Sequence, residues 1–126
     1  MSTVGRILGE AMTQKLIHKD PQQAVNWAKK YRQRFPEAEP YIATSAAWAY
    51  VYAYDVIRGR FPEAEPYIAK YPFWSYTYAK DVIRGRWPEA EAIIATDPQW
   101  AKEYVKAFPK AKLEWVLNGL MDWTDL

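Results

Sequence analysis

The chain repeats itself with a fixed period of 26 residues. Residues 55–66 read DVIRGRFPEAEP and residues 81–91 read DVIRGRWPEAE, while RFPEAEPYIA occupies 34–43 and recurs at 60–69. Equivalent positions hold the same or a similar residue: Phe35, Phe61 and Trp87; Trp48, Trp74 and Trp100; Tyr52, Tyr78 and Tyr104. A period of this length is typical of repeat proteins, in which each unit packs only on its neighbours.

The first half of each unit predicts an amphipathic helix, which we call helix A. In the second unit it runs from about Ala46 to Arg58. Its apolar residues recur at helical spacing and form one stripe: Trp48, Tyr52 and Val56, with Ala49, Ala53 and Ile57 beside them. The third unit repeats the stripe. We therefore expect the tryptophan and tyrosine rings of both stripes, Trp48, Tyr52, Trp74 and Tyr78, to be largely buried.

Glycines follow helix A in two units, at Gly59 and Gly85. Glycine just past a helix end adopts the left-handed conformation without steric cost. The sequence therefore predicts a positive φ at both residues.

The second half of each unit predicts a short helix B that begins at a proline, Pro36, Pro62 or Pro88, because proline is favoured at the first helical position. Two units carry another proline four residues later, at Pro40 and Pro66. An interior proline removes a backbone hydrogen bond, so we expect a bent or 3₁₀ first turn there. The third unit has alanine at that position and should be straighter.

These patterns predict an all-α fold, specifically a small right-handed α-solenoid in a single domain, residues 1–126. The expected parts are a cap over 1–19, repeats over about 20–43, 44–69, 70–95 and 96–108, and a C-terminal cap over 109–126. The expected N-terminal helix, 3–18, has Ile7, Leu8, Ala11, Met12 and Leu16 on one side. The expected C-terminal helix, 110–121, carries Leu113, Val116, Leu117 and Leu120.

The unit W-x₃-Y-x₂-D-V-I-x-G-R-[FW]-P-E-A-E resembles a short α-helical tandem repeat of the DVIKGRWPEAE type, which recurs in uncharacterised phage and bacterial proteins. The resemblance covers residues 44–100 well and 20–43 more loosely. It implies an α-helical array and a phage or prophage origin. The family brings no known chemistry, so the resemblance implies no catalytic residue.

Composition argues against several classes of function. The chain has no cysteine and one histidine, His18, and its serines lack a base at the spacing of a catalytic pair. Isolated glycines match no phosphate-binding loop. We therefore expect no enzymatic activity, no cofactor and no metal. A net charge of +2 fits neither a polyanion mimic nor a strongly basic nucleic-acid binder.

Location is predicted from the same composition. The first residues contain no apolar run of signal-peptide length, and no apolar segment is long enough to span a membrane. With the absence of cysteine, this favours the cytoplasm, and the resemblance to phage repeats implies that the cell is a bacterial host.

Charged residues recur as regularly as apolar ones. Glutamate pairs follow each helix B proline, where they suit a helix dipole and salt bridges. Asp55 and Arg58, and their equivalents Asp81 and Arg84, are spaced as surface ion pairs. Arginines form two rows: Arg32, Arg58 and Arg84, and Arg34, Arg60 and Arg86. Two interpretations stay open: the rows are a basic ridge for phosphates or an acidic partner, or the glutamate rows of adjacent units neutralise them.

Aromatic residues make up 17% of the chain, and several lie off the apolar stripe of helix A. Exposed aromatic rings in one place indicate a contact surface, although such rings can also pack between repeats. The candidate partner-binding residues are Tyr50, Tyr54, Tyr76, Lys80, Arg58, Arg60, Arg84 and Arg86.

Two functions are consistent with these residues. The first is a non-enzymatic protein-interaction module, in its most concrete form a phage-encoded inhibitor of a bacterial defence-system protein. The alternative is a nucleic-acid-binding repeat protein that uses the arginine rows and tyrosine stacking.

Overall fold

A computed structural model describes residues 13–122, and these are helical with no β-strand. The first described helix, α1, covers residues 13–17; the rest of the expected N-terminal helix, with Ile7, Leu8, Ala11 and Met12, lies outside the described residues. The helices that follow are α2 (Pro21–Tyr31), α3 (Glu39–Ala43), α4 (Ala46–Tyr52), α5 (Glu65–Ile68), α6 (Pro72–Tyr78), α7 (Pro88–Ile94), α8 (Pro98–Ala107) and α9 (Lys110–Leu117).

The A helices are α2, α4, α6 and α8, and the B helices are α3, α5, α7 and α9. Each A helix contacts the A helix of the next unit, and it also contacts the B helices that precede and follow it in the chain. This contact pattern recurs from unit to unit, as expected for units that bury their apolar faces against one another.

Side chains cap three of the four A helices at their N-termini. Asp20, Ser45 and Asp97 each accept a hydrogen bond from a backbone N–H in the first turn. Proline occupies the first turn of α2, α6 and α8. The capping side chains accept hydrogen bonds from the free N–H groups at a helix start, and proline has no N–H group that would need an acceptor there.

The A helices of the second and third units do not end as ordinary α-helices. A five-residue π-helical segment, Ala53–Ile57, continues α4, and an equivalent segment, Ala79–Ile83, continues α6. In the first unit the eleven residues of α2 stay α-helical throughout. In units two and three, seven α-helical residues precede the five of the π segment. Helix A of these units is therefore one residue longer than α2 of the first unit.

The predicted positive φ at Gly59 and Gly85 is wrong. The left-handed residue is the arginine before each glycine, with φ of 59° at Arg58 and 60° at Arg84. Both the Arg58 and the Gly59 N–H groups donate to the Ala53 carbonyl. The glycine therefore closes the turn, and the arginine lies inside it, where the backbone must turn left-handed. Arg32 holds the same conformation in the first unit, with φ of 52°.

The predicted start of helix B is confirmed. The 3₁₀ segments Pro36–Ala38 and Pro62–Ala64 precede α3 and α5, in the two units that carry a second proline. The third unit, with Ala92 in place of that proline, forms one continuous α-helix, Pro88–Ile94. The missing backbone N–H of the second proline accounts for the difference.

The core is built from equivalent positions of successive units. Tyr52 and Tyr78 are fully buried, as predicted from the apolar stripe, whereas Trp48 and Trp74 are only partly buried. The small residue beside them is also buried, and Ser75 there donates a hydrogen bond to the Ile68 carbonyl. The buried set shared by the units is Phe35, Phe61 and Trp87; Ala38, Ala64 and Ala90; Ile42, Ile68 and Ile94; Tyr52, Tyr78 and Tyr104.

The C-terminal helix is shorter than the expected 110–121, because α9 ends at Leu117. Leu113, Leu117 and Leu120 are exposed, Leu117 by 72%. Helix α9 instead buries Ala111 and Trp115, because Trp115 stacks on Tyr104 at 5.0 Å between ring centres. At the other end Leu16 is also exposed.

Candidate functional site

The chain builds the same hydrogen-bonded group three times, each at the contact between two adjacent units. In the first copy the guanidinium of Arg34 donates two hydrogen bonds to the carboxylate of Glu39, both 2.8 Å long. The hydroxyl of Tyr52, from the next unit, donates to the same carboxylate at 2.6 Å and accepts from the Phe35 N–H at 2.8 Å. We call this group the Arg–Glu–Tyr bridge.

The two further bridges follow at the repeat spacing. They consist of Arg60, Glu65, Tyr78 and the Phe61 N–H, and of Arg86, Glu91, Tyr104 and the Trp87 N–H. The third carries extra partners, because Trp115 donates to Glu91 at 3.0 Å and Glu114 lies 2.8 Å from Arg86. Each tyrosine thus fastens its own unit to the one before it.

The bridges shift the pKa values of their members in opposite directions. Hydrogen bonds from Arg34 hold the pKa of the Glu39 carboxyl below its ordinary value. Burial alone would raise the pKa of Glu65, but hydrogen bonds from Arg60 and Tyr78 outweigh it, and the pKa is lowered. Burial and the hydrogen bond to Glu65 raise the pKa of the Tyr78 phenol. The glutamate therefore stays ionised and the tyrosine stays protonated at neutral pH.

The bridges also account for one of the two arginine rows. Arg60 and Arg86, both candidates for binding, are bonded in two places to a glutamate of their own unit. The interpretation that glutamates neutralise this row is therefore supported. The main partner of each arginine belongs to its own unit, and only Arg86 also pairs with a glutamate of the following B helix, Glu114.

The other row, Arg32, Arg58 and Arg84, is exposed and forms no ion pair within residues 13–122. The expected surface pairs Asp55–Arg58 and Asp81–Arg84 are wrong, because the left-handed turn takes each arginine off the helix on which that spacing would bring the two together. Asp55 instead lies 3.5 Å from Lys29, and Asp81 accepts a hydrogen bond of 2.6 Å from the Tyr50 hydroxyl.

Two clefts lie along this second row, and the repeat relates them. One, of about 550 Å³, is lined by Ala28, Lys29, Arg32, Asp55, Val56 and Arg58. The other, of about 500 Å³, is lined by Ala53, Tyr54, Asp55, Arg58, Gly59, Asp81, Val82 and Arg84. Every residue of the first cleft has its equivalent, 26 positions later, in the second. Arg58 lines both, so the three arginines form one row across two neighbouring clefts.

Aromatic rings form a continuous band across α4 with its π-helical continuation, α6 and α8. The contacts in order are Tyr54–Tyr50 at 6.1 Å, Tyr50–Trp74 at 5.7 Å, Trp74–Phe73 at 4.7 Å, Phe73–Trp100 at 4.8 Å and Trp100–Tyr76 at 5.7 Å between ring centres. Tyr54 is 50% exposed and Phe73 37%. We call these six rings the aromatic band.

The candidate tyrosines take different places in the band. Tyr54 is exposed, as expected of a contact residue, and Tyr50 is half-buried. Tyr76 is only 7% exposed, so its expected exposure is wrong: its ring packs on Trp100 of the next unit. Lys80 is exposed, with its ammonium 5.9 Å from the centre of the Tyr76 ring.

Sequence reasoning missed three members of this surface and the role of the bridges. The predicted apolar stripe places Trp74 in the core, with Trp100 at the equivalent position, and Phe73 is not among the candidate residues. The bridges had a visible signal, since arginine, glutamate and tyrosine recur together at constant spacing in three units. That spacing alone does not show that the tyrosine folds back on the preceding unit.

Neither a metal site nor a membrane-spanning helix stands out in the described part of the chain. No group of three or more His, Asp or Glu side chains in residues 13–122 is placed to hold a metal ion. None of the helices there is both long and apolar enough to cross a bilayer.

Comparison with known proteins found no matching family model, no similar curated protein and no similar solved structure.

Proposed function

We propose that this chain is a non-enzymatic protein-interaction module, a small right-handed α-solenoid that binds a partner protein through the aromatic band. The continuity of the band carries the proposal: six rings on three successive A helices touch in sequence, and the band includes exposed surface at Tyr54 and Phe73. Clustered aromatic rings with polar edges are the side chains that most often dominate protein interfaces.

The packing of the rings against one another supports the same proposal. Tyr50 and Tyr76 are held in place by packing on the tryptophan of the next unit, so the band is ordered before a partner arrives. A preorganised surface loses less side-chain entropy on binding than a flexible one does. The resemblance to phage repeat proteins makes an inhibitor of a bacterial defence-system protein the most specific form of the proposal.

A pair of matched double variants tests the role of the band. Tyr54→Ser with Phe73→Ser removes its two exposed rings. Tyr41→Ser with Tyr67→Ser removes two rings of similar exposure from the B helices, and these two take no part in the ring contacts of the band. Because exposed positions contribute little to stability, both variants should keep the thermal midpoint of the parent chain.

The binding assay is capture of proteins from a bacterial lysate, with and without nuclease treatment, compared across the parent chain and the two variants. We expect the band variant to retain a specific partner about tenfold less well, and the control variant to retain it as the parent does. Equal retention by all three chains would refute the role of the band. Retention that nuclease abolishes would assign the surface to nucleic acid.

A further inference from the structure

The three left-handed arginines end the A helices of the first three units, at a position that glycine usually occupies. Non-glycine residues with a positive φ are uncommon, because Cβ crowds the following carbonyl. Here arginine holds that conformation at Arg32, Arg58 and Arg84, while Gly59 and Gly85, which would adopt it freely, stand one residue away and do not. The conformation ends only the first three A helices, and this uncommon use of arginine in place of glycine directs attention to the side chain that it presents.

The π-helical segments keep the arginines in register. Units two and three have one residue more than unit one in helix A, and the π segments take it up before the turn. The left-handed arginine therefore recurs at the same position of each of these three units, although helix A differs in length. Single π-helical turns are frequent at functional sites.

The guanidinium groups of this row have no anionic partner between residues 13 and 122, although carboxylates are close by. The two aspartates that share the clefts are already occupied, Asp55 by Lys29 and Asp81 by the Tyr50 hydroxyl. By contrast, Arg34, Arg60 and Arg86 are all paired. The surface thus offers three planar guanidinium forks in a row, each able to bind a carboxylate at two points.

We propose that Arg32, Arg58 and Arg84 bind carboxylates of an acidic segment of a partner protein, one carboxylate per unit. This inference rests on the proposed function, because Tyr54 of the aromatic band also lines the second cleft and places both features on one surface. Adjacent packed helices stand about 8–10 Å apart, which sets the spacing of the row. In a polyproline II segment, which has three residues per turn and rises about 3.1 Å per residue, carboxylates three residues apart face the same side about 9 Å from one another, so they match it.

Charge favours a carboxylate segment over a nucleic-acid strand. Asp55 and Asp81 alternate with the arginines along the same clefts, so the surface is not uniformly positive. A continuous phosphate backbone would pass close to both aspartates, whereas separate carboxylates can meet the arginines alone. The net charge of the chain, +2, also provides little long-range attraction for a polyanion.

The first experiment uses a synthetic peptide of Gly and Ser with Glu at every third position, and the same peptide with Gln in place of Glu. We follow arginine Nε–Hε resonances by NMR as each peptide is added to the full chain. The Glu peptide should shift the signals of Arg32, Arg58 and Arg84 and leave those of the paired Arg34, Arg60 and Arg86 in place. Absence of these shifts at millimolar peptide, or equal shifts with the Gln peptide, would overturn the proposal.

The second experiment measures the affinity of the Glu peptide by fluorescence anisotropy with two variants of equal charge. Arg32→Gln/Arg58→Gln/Arg84→Gln should weaken binding by about tenfold or more, since each bidentate pair is a strong contact. Lys102→Gln/Lys110→Gln/Lys112→Gln removes the same charge elsewhere and should weaken it by no more than about twofold. Equal weakening in both variants would show that net charge, not the row, binds the peptide.

A third arm uses an oligothymidine strand in place of the peptide. Tighter binding of the strand, with affinity that falls steeply as salt rises, would overturn the proposal in favour of nucleic acid. Lysate capture separates this inference from the proposed function. If the arginine variant retains the partner while the band variant loses it, the inference about the arginines is wrong and the proposed function stands. If the band variant retains the partner, the proposed function is wrong, whatever the measured affinity for the peptide.

Discussion

Tyr78→Phe removes a single hydroxyl from the middle Arg–Glu–Tyr bridge and should destabilise the chain strongly for so small a change. The hydroxyl donates to the Glu65 carboxylate at 2.6 Å and accepts from the Phe61 N–H at 2.8 Å, and the tyrosine is fully buried. The phenyl ring stays in place, so packing against Trp87 is retained and the effect isolates the two hydrogen bonds.

The magnitude follows from what each lost bond leaves behind. A hydrogen bond to a charged group contributes about 1.5–3 kcal/mol, and a buried donor without an acceptor costs about 1–3 kcal/mol. Glu65 keeps both bonds from Arg60 and some contact with water, which offsets part of the loss. We therefore expect a loss of about 2–4 kcal/mol in the free energy of unfolding. With about 2.1 cal/mol/K of unfolding entropy per residue, the thermal midpoint should fall by about 8–15 °C.

Urea unfolding, followed by both far-ultraviolet circular dichroism and tryptophan fluorescence, measures this loss without screening the ion pair. Coincident transitions by the two probes would justify a two-state free energy. Tyr71→Phe is the matched control, because Tyr71 is exposed and its hydroxyl makes no hydrogen bond to any residue that the structure describes. If Tyr78→Phe falls within about 0.5 kcal/mol of this control, the bridge does not hold adjacent units together.

Features that depend on local chemistry could be predicted from the sequence. Proline fixes its own φ and lacks an N–H, so the start of helix B and the 3₁₀ turns before Pro40 and Pro66 followed from their positions alone. Burial of Tyr52 and Tyr78 followed from helical spacing. These inferences needed no knowledge of what packs beyond the helix.

Features that depend on the neighbouring unit could not be predicted in this way. The repeat spacing shows that Tyr50 and Tyr76 occupy equivalent positions on the A helices of two successive units. Only the position of the next helix decides that Trp100 covers Tyr76. Leu113 and Leu117 likewise share a side of α9 that no described residue buries.

The end of helix A illustrates a conflict between local preference and residue count. Glycine is the better left-handed residue, and that preference alone placed the turn at Gly59. The hydrogen bond from the Gly59 N–H to the Ala53 carbonyl places the turn one residue earlier. A π-helical segment adds a residue to the turn, and such segments have no clear signal in a single sequence.

Three further predictions concern the bridges, the core and the turns. Because the pKa values of Glu39, Glu65 and Glu91 are lowered in the folded chain, the stability they contribute is fully present above their unfolded value of about 4.3 and is lost as pH falls through the folded values below it. Urea midpoints should therefore stay level from neutral pH to about pH 5 and fall below it, less steeply in Glu65→Gln. Trp87→Ala should cost about 3–5 kcal/mol by urea unfolding, and Trp74→Ala should cost less, because only the first ring is fully enclosed. Arg58→Gly should stabilise the chain by about 1 kcal/mol, since glycine holds a left-handed turn without the crowding of Cβ. Gly59→Ala should stabilise it by a further fraction, about 0.4–1 kcal/mol, because its φ is not positive and a Cβ there would meet no atom within 4 Å. Thermal midpoints of the two variants, compared with that of the parent chain, test both expectations. A lower midpoint for Arg58→Gly would show that the arginine stabilises the turn. The left-handed conformation of this row would then carry no strain that points to a binding role.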